Sequence, residues 1–490
     1  MNTTSTPPPA IALRPLLWLV AAGVFMQMLD STIVNTALPA MARDLGQSPL
    51  RMQAVVVAYA LTVAMLIPAS GWLADRFGTK QIFIAAVALF TLGSLTCAVS
   101  QDLPQLVASR VLQGIGGAML LPVGRLAVLR AVPRKDFLAA MSFVTVPGLI
   151  GPLIGPTLGG WLVEVASWHW IFLINLPLGV LGAAAALRWM PDLRGPRVRF
   201  DALGYVLLAF GMVAVSLSLD SLSDHAGSRG AMMVLLVFGL AGLVAYWLHA
   251  ARAPRPLFPL ALFRVPSFSI GLLGNLFSRM GSSGMPFLIP LMLQIGLGFS
   301  PMSAGMLMIP AALAGMFSKR IVVPLVQRLG YRKVLVGNTV LVGLAMASFA
   351  LVSADQPMWV HLIHFACFGA VNSLQFTAMN TLALRDLDGD LASSGNSLLS
   401  MTMMLAMSIG VALAGSLLGM FGNLTLHPLQ GQALSAFRWT FVCVGLITMA
   451  SAAIFAQLQP THRIDGLPAD RVPGNPAPRP AAAVRRPGGV

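Results

Sequence analysis

Two ionisable residues in this sequence, Asp30 and Arg110, stand in the middle of long apolar runs, where a carboxylate or a guanidinium is out of place unless it does something. Asp30 lies about 14 residues into its run, about 21 Å along a helix from the start. A carboxylate at the centre of a lipid-embedded helix costs about 2.5–3.5 kcal/mol on insertion scales, unless it is paired or faces a cavity. Apolar surroundings favour its neutral form, so Asp30 is a candidate proton carrier. Gln27, three residues earlier on the same helical face, is placed to hydrogen-bond it, and Asn35 adds a further amide to the same run. Arg110 stands about 16 residues, or about 24 Å, from the far end of its own run, close to the depth of Asp30. A buried arginine beside an aspartate holds the acid ionised until the two separate, so Asp30 and Arg110 form a candidate proton-coupling pair, with Gln113 one turn on. The same residues admit plainer readings: Asp30 as a packing group satisfied by its neighbours, Arg110 as an anchor beside glycines. Arg279, midway along a later run with Asn275 four residues before it, is a candidate for lining a cavity.

The elements that carry these residues follow from composition. The chain has 490 residues, 57% of them hydrophobic and 10% charged, with mean hydropathy +0.81. Soluble domains carry about 25% charged residues, so the solvent for most of this chain is lipid. Apolar segments long enough to cross a bilayer as helices fall at 16–38, 54–74, 81–99, 104–128, 138–162, 169–190, 203–222, 230–250, 268–293, 302–325, 334–352, 357–383, 394–421 and 438–457. With the N-terminus in the cytoplasm, roughly 24 of the Lys and Arg residues fall on the cytoplasmic side and about four outside (Arg43, Arg51, Arg229, Arg438). Arg110, Arg125 and Arg279 lie within spans. All four lysines, Lys80, Lys135, Lys319 and Lys333, fall inside.

Several function classes drop out. The net charge of +15 is spread through short loops and is not interleaved with aromatics, which argues against nucleic acid. Cys97, Cys367 and Cys443 sit in apolar stretches without metal-ligand spacing, so neither a disulfide framework nor a metal site is expected. No lysine follows the glycine pattern of a nucleotide-binding loop, and no cofactor is expected. A clustered acid, His or Ser constellation of an enzyme and the filter loop of a channel are both missing from the sequence. His361 and His364 share a helical face and read as interfacial; Glu164 and Asp220 fall near helix ends. Met1 to Leu13 is rich in Thr and Pro and holds no basic residue, so the first run is expected to stay as a signal-anchor.

Two patterns link the runs. Gly71-Trp-Leu-Ala-Asp75-Arg76-Phe-Gly78-Thr-Lys80 and Val323-Pro-Leu-Val-Gln327-Arg328-Leu-Gly330-Tyr-Arg332 occupy corresponding loops, sharing Arg, Gly and a following base but not the first Gly or the Asp. Parallel six-helix repeats of this kind are a transporter architecture. In the fifth run, Gly148, Gly151, Gly155 and Gly159 recur as a helical stripe without side chains, and Pro152 and Pro156 allow local bends.

With Leu29-Asp30-Ser31-Thr32-Ile33-Val34-Asn35-Thr36-Ala37-Leu38-Pro39, Arg110-Val-Leu-Gln113-Gly114-Ile-Gly116-Gly117-Ala118 and Trp168-His169-Trp170 through Asn175-Leu-Pro177-Leu-Gly179, these motifs resemble those of the major facilitator superfamily. The nearest resemblance within it is to the fourteen-span drug:proton antiporters, over roughly residues 14–457. The resemblance implies an all-α integral membrane fold, with six-helix bundles at 14–190 and 263–457 and two extra helices in a linker at 191–262. Disordered ends are expected at 1–13 and 458–490. It further implies that Gly71, Asp75, Arg76, Gly78 and Lys80 form a cytoplasmic latch and that the glycine stripe is an exporter's signature. It implies a secondary exporter of small lipophilic drugs, cationic ones included, in exchange for protons. Export of an anionic metabolite or metal chelate is the other reading, favoured by Arg110 and Arg279. The expected setting is the bacterial inner membrane with both termini cytoplasmic, and the expected partners are small molecules, protons and lipid around a monomer.

Overall fold

The computed structural model describes residues 13–133, 136–195, 199–220, 229–387, 389–422 and 430–459. The two ends expected to be disordered lie, apart from their innermost residues, outside the described residues. The first half runs α1 (Leu13–Asp44), α2 (Gln53–Phe77), α3 (Thr79–Ala98), α4 (Leu103–Ala131), α5 (Phe137–Val165) and α6 (Asn175–Trp189). The linker holds α7 (Ala202–Asp220) and α8 (Arg229–Arg252). The second half runs α9 (Pro266–Ser282), α10 (Met285–Leu291), α11 (Pro301–Leu307), α12 (Ile309–Ala347), α13 (Met358–Leu384), α14 (Gly389–Phe421) and α15 (Gln430–Ala450).

Twelve helical stretches among the described residues are long and apolar enough to cross a bilayer. One of them, Pro301–Leu351, has 51 residues and is two crossings, because helical geometry breaks at Gly330 (φ 76°, ψ 157°). The broken helix from Pro266 to Gly296 supplies one crossing more, which brings twelve to fourteen. Gly330 and Gly78 (φ 98°) each turn the chain in the left-handed region, where a Cβ is strained. The two loops thus share the glycine that makes the turn.

The ninth crossing departs from expectation. A single helix over 268–293 was predicted, but α9 stops at Ser282, α10 begins at Met285, and Met292–Gly296 widens to a π turn. Pro286 and Pro290 explain the break: neither offers the N–H that the carbonyl one turn earlier requires.

Helices α1 and α5 pack together, as do α3 with α4 and α2 with α4; in the second half α12 packs on α13 and α15. Across the halves, α2 lies along α14 and α5 along α11. Among the described residues, hydrogen bonds that tie the halves at the end remote from the Gly71–Lys80 loop include Thr157 Oγ1 to the Gly305 carbonyl (3.2 Å), Gln294 Nε2 to the Thr36 carbonyl (2.9 Å) and Met302 N to Glu164 (3.3 Å). A large apolar cluster from Ile33 and Val56 to Phe349 and Phe441 fills that same end.

The linker pair packs on itself, and α7 also rests on α14 and α2, with Ser216 and Ser408 hydroxyls 2.6 Å apart. One carboxylate gathers the pair's other end. Asp201 accepts hydrogen bonds from Gly204 N (2.9 Å) and Leu257 N (3.1 Å) and pairs with His249 Nε2 at 2.7 Å. Burial alone would raise the Asp201 pKa, but the Gly204 N–H, the imidazole and the Leu257 N–H together hold it below the ordinary carboxylate value. The start of α7, the end of α8 and the chain entering the second half are thereby joined.

Candidate functional site

Asp30 is fully buried in the first half, and its carboxylate is enclosed by three donors from two other helices. Its Oδ2 accepts from Arg110 Nη1 of α4 at 2.7 Å. Its Oδ1 accepts from Gln113 Nε2 of α4 at 2.7 Å and from Asn175 Nδ2 of α6 at 3.1 Å. Ser94 of α3 accepts from both amides, at 2.8 and 3.3 Å. Arg110 is 1% exposed; its Nε donates to the Val55 carbonyl, and its guanidinium lies 4.3 Å over the Tyr59 ring. The depths read from the sequence therefore do bring Asp30 and Arg110 together.

Glycines make this closeness possible. A Cβ on Gly93 would overlap the Gln113 backbone, and one on Gly116 would overlap the backbone of α3 at Ala86 and Phe90. Helices α3 and α4 therefore meet almost backbone to backbone, which lets Ser94 reach Gln113. A Cβ on Gly114 would stand 2.9 Å from Thr62, and one on Gly117 would press on the Tyr59 ring, so the same motif seats α2.

Two of the supporting groups lie elsewhere than expected. Gln27 does not bond Asp30; it approaches the Tyr59 hydroxyl instead. The Asp30 carboxylate turns toward α4, where a guanidinium outcompetes a neutral amide on the same helix. Asn35 donates to the Ser31 carbonyl of its own helix at 3.2 Å and takes no part in the pair. Conversely, Ser94 and Asn175 join the site without having been singled out. Asn175 had a signal, an amide within an apolar run; Ser94 had none, since serine is common in such runs.

The stripe of glycines lies against the stretch of α1 that carries Asp30. A Cβ on Gly148 would come within 2.8 Å of Val24, on Gly151 within 2.7 Å of Leu29 N, and on Gly159 within 2.7 Å of the Ile33 carbonyl; one on Gly155 would overlap Thr32. Helix α5 runs through Pro152 and Pro156 without interruption, and the Pro156 carbonyl meets Gly305 across the halves. Gly155→Leu is expected to force α1 from α5, lowering stability by about 1–3 kcal/mol as overpacking does. A depressed melting temperature in detergent, together with lost transport, would register it.

At the loop, Asp75 pairs with Arg130 in the last turn of α4. A helix C-terminus suits the cation, and Arg130 in turn presents its charge to Asp75. Gly195 N donates to the Asp75 carbonyl (3.3 Å), Thr79 Oγ1 donates to the Pro191 carbonyl (2.7 Å), and Thr79 N donates to the Leu193 carbonyl (3.1 Å). The chain leaving α6 is thus strapped across the loop. Arg76 stacks on Trp72 and Phe77, and Lys80 is half-buried. Nothing stands within 4 Å of a Cβ placed on Gly71.

In the second half, the polar network beside the central helices is neutral. Asn338 Nδ2 donates to Gln375 Oε1 (2.9 Å), and Gln375 Nε2 donates to Thr339 Oγ1 (2.6 Å). Arg279 of α9 lies apart from the Asp30 pair, 4.8 Å over the ring of Phe376 on α13. His361, in the first turn of α13, is buried edge-on against Phe299, and His364 bonds Ser348 at 2.8 Å. Among the described residues, no group of three or more His, Cys, Asp or Glu side chains is placed to hold a metal ion.

Comparison with known proteins agrees with this architecture. The Major Facilitator Superfamily model matches residues 20–411. The chain is 53% identical over 444 residues to a protein of Pectobacterium atrosepticum named as multidrug resistance protein MdtD, covering 91% of this chain and 95% of the relative. It is 54% identical over 442 residues to the protein of the same name in Cronobacter sakazakii, covering 90% and 94%. Among solved structures, the fold is similar to a POT family transporter in complex with a thioalcohol-conjugated peptide (TM-score 0.66, 17% identity, 90% of this chain and 94% of that one). It is also similar to a bacterial homolog of the human lysosomal transporter Spinster in an inward-facing, unoccupied conformation (TM-score 0.64, 15% identity, 92% and 97%). The chain belongs to the major facilitator superfamily and is a multi-pass membrane transporter, not an enzyme.

Proposed function

We propose that this transporter exports small lipophilic molecules, drugs among them, from the bacterial cytoplasm or inner leaflet in exchange for protons, by alternating access. The observation that carries the reading is the Asp30–Arg110 pair, a deeply buried acid whose charge is balanced by a cation on a different helix. While the pair is closed, the Arg110 guanidinium balances the Asp30 carboxylate. When the helices shift and the contact lengthens, the buried carboxylate loses its counter-charge and takes up a proton from the outer side. The protonated acid no longer attracts Arg110, so the proton stays until the return stroke re-forms the pair and expels it inward. Relatives named as multidrug resistance proteins support the drug part of the reading.

The loop supports the alternating part. With the lysine-bearing loops in the cytoplasm, the hydrogen bonds at the remote end close the outer side, so the state described is sealed outside. Gly71 faces open space here, so its lack of a side chain serves no contact in this state; it suits a second state in which the cytoplasmic ends close. Asp75→Asn weakens the charge-assisted bond to Arg130 that shapes this loop, and the initial transport rate is expected to fall by about tenfold with binding affinity retained. Initial-rate and binding measurements on the same preparation separate those two effects.

Reconstituted protein in proteoliposomes with an imposed pH gradient tests the function itself. A panel of fluorescent lipophilic cations, neutrals and anions is offered, and gradient-driven accumulation of at least one is expected. Movement that ignores the gradient for every compound carried would rule out antiport.

A further inference from the structure

Arg279 is the deep cation that the proton mechanism leaves unused. Where Arg110 is neutralised by Asp30, no acidic side chain lies within ion-pair distance of Arg279 among the described residues. Its Nε is buried without a hydrogen-bond partner, and its guanidinium rests only on the Phe376 ring. It stands about 20 Å along α9 from Pro266, near mid-membrane, and is half-buried. An uncompensated charge there is costly unless something supplies the counter-charge.

The surroundings carry further unmet polar groups. Asn275 Oδ1, one turn before Arg279, and Ser278 Oγ beside it are buried and unpartnered. On α13, Asn380 Oδ1 is in the same condition. Helices α9 and α13 run antiparallel and touch at Gly271 and Ala383, where a glycine Cβ would come within 2.8 Å of Ala383. That register sets Asn275 opposite Asn380 and Arg279 opposite Phe376. One guanidinium, one hydroxyl and two amides therefore lie along this helix pair beside an aromatic ring.

We propose that this cluster is a binding site for the carboxylate of a lipophilic organic anion, with Phe376 against its apolar body. The inference deepens the export reading and rests on it for the claim that the bound anion is cargo. Arg279 supplies the charge, Ser278 a hydroxyl donor, and the Asn380 amide either a donor or an acceptor. A cationic cargo finds no equivalent: Asp30, the deep acid, is fully buried and already bonded by three donors. The same cluster is neutral-tolerant at its aromatic side, so the carboxylate sets selectivity and the ring sets size.

The test is equilibrium binding to the purified full-length protein in detergent, using 1-naphthoate and its neutral isostere 1-naphthamide. Naphthoate is expected to bind about tenfold or more tightly than naphthamide, as one charge-assisted pair requires. Arg279→Gln should erase the preference, Arg279→Lys should keep part of it, and Phe376→Ala should weaken both ligands equally. Unchanged melting temperatures exclude misfolding as the cause, and Arg279→Lys carries the comparison if the glutamine variant unfolds. Equal binding of the two ligands, no binding of naphthoate, or a preference that survives Arg279→Gln would each overturn the site. Because the measurement needs no gradient, its failure leaves proton antiport standing, and failure of gradient-driven transport leaves the anion site standing.

Discussion

Asp30→Asn is expected to abolish gradient-driven transport while leaving exchange of cargo across an ungraded membrane measurable. The amide is nearly isosteric with the carboxylate, and Gln113 and Asn175, themselves held by Ser94, can still bond its oxygen, so the helices keep their places. What disappears is the group that takes and releases a proton. Arg110 then stays buried opposite a neutral partner, a state resembling the permanently protonated carrier. Entrance counterflow in proteoliposomes, compared with uptake under a pH gradient, separates the two activities. Loss of both would show that the amide has simply broken the fold, and a retained melting temperature is the control. Gradient-driven flux at the wild-type rate would remove Asp30 from the proton path.

Arg110→Gln carries the largest expected cost in stability. Removing one partner of a buried ion pair leaves an uncompensated charge and typically costs about 3–5 kcal/mol. Asp30 escapes that cost by binding a proton, so the variant is expected to be markedly less stable at high pH than at low pH. The sign follows from which form is penalised: without Arg110, the ionised acid is disfavoured, and raising the pH ionises it. Melting temperatures of the variant across pH check this, and the double variant Asp30→Asn, Arg110→Gln is expected to recover much of the loss and to lose the pH dependence. If the two substitutions are simply additive, the side chains are not energetically coupled. A charge exchange, Asp30→Arg with Arg110→Asp, restores the pair in reverse; transport absent at every pH would count against the coupling of the two residues in proton exchange.

Much of this was legible in the sequence because a membrane simplifies the physics. Apolar runs of span length can only be helices, and counting residues along a helix fixes depth, so residue count alone sets Asp30 and Arg110 at one level. The glycine motifs around Gly114 and Gly155 read as close approaches, though not which helices approach. The break at Ser283 had a signal, the small and polar Gly281-Ser282-Ser283-Gly284 ahead of Pro286, but the apolar residues on both sides read as one run. Gln27 and Asn35 were assigned to Asp30 on helical spacing alone, which says which face a residue shares but not where its rotamer points. Placing Ser94 and Asn175 at the site required knowledge of how α3 packs on α4 and α6 on α3 and α1, a long-range fact. The role of Asp201 in joining α7, α8 and the second half has the same character: its partners His249 and Leu257 are far along the chain.

Simultaneous measurement of cargo and proton movement in proteoliposomes tests the central claim most directly, with internal pH read from an entrapped dye and a cargo gradient as the only driving force. Cargo leaving the wild-type vesicles should draw protons in, and the Asp30→Asn vesicles should show no cargo-linked change in internal pH. Proton movement of equal size in both preparations, or cargo movement without any proton movement in the wild type, would contradict exchange at the Asp30–Arg110 pair.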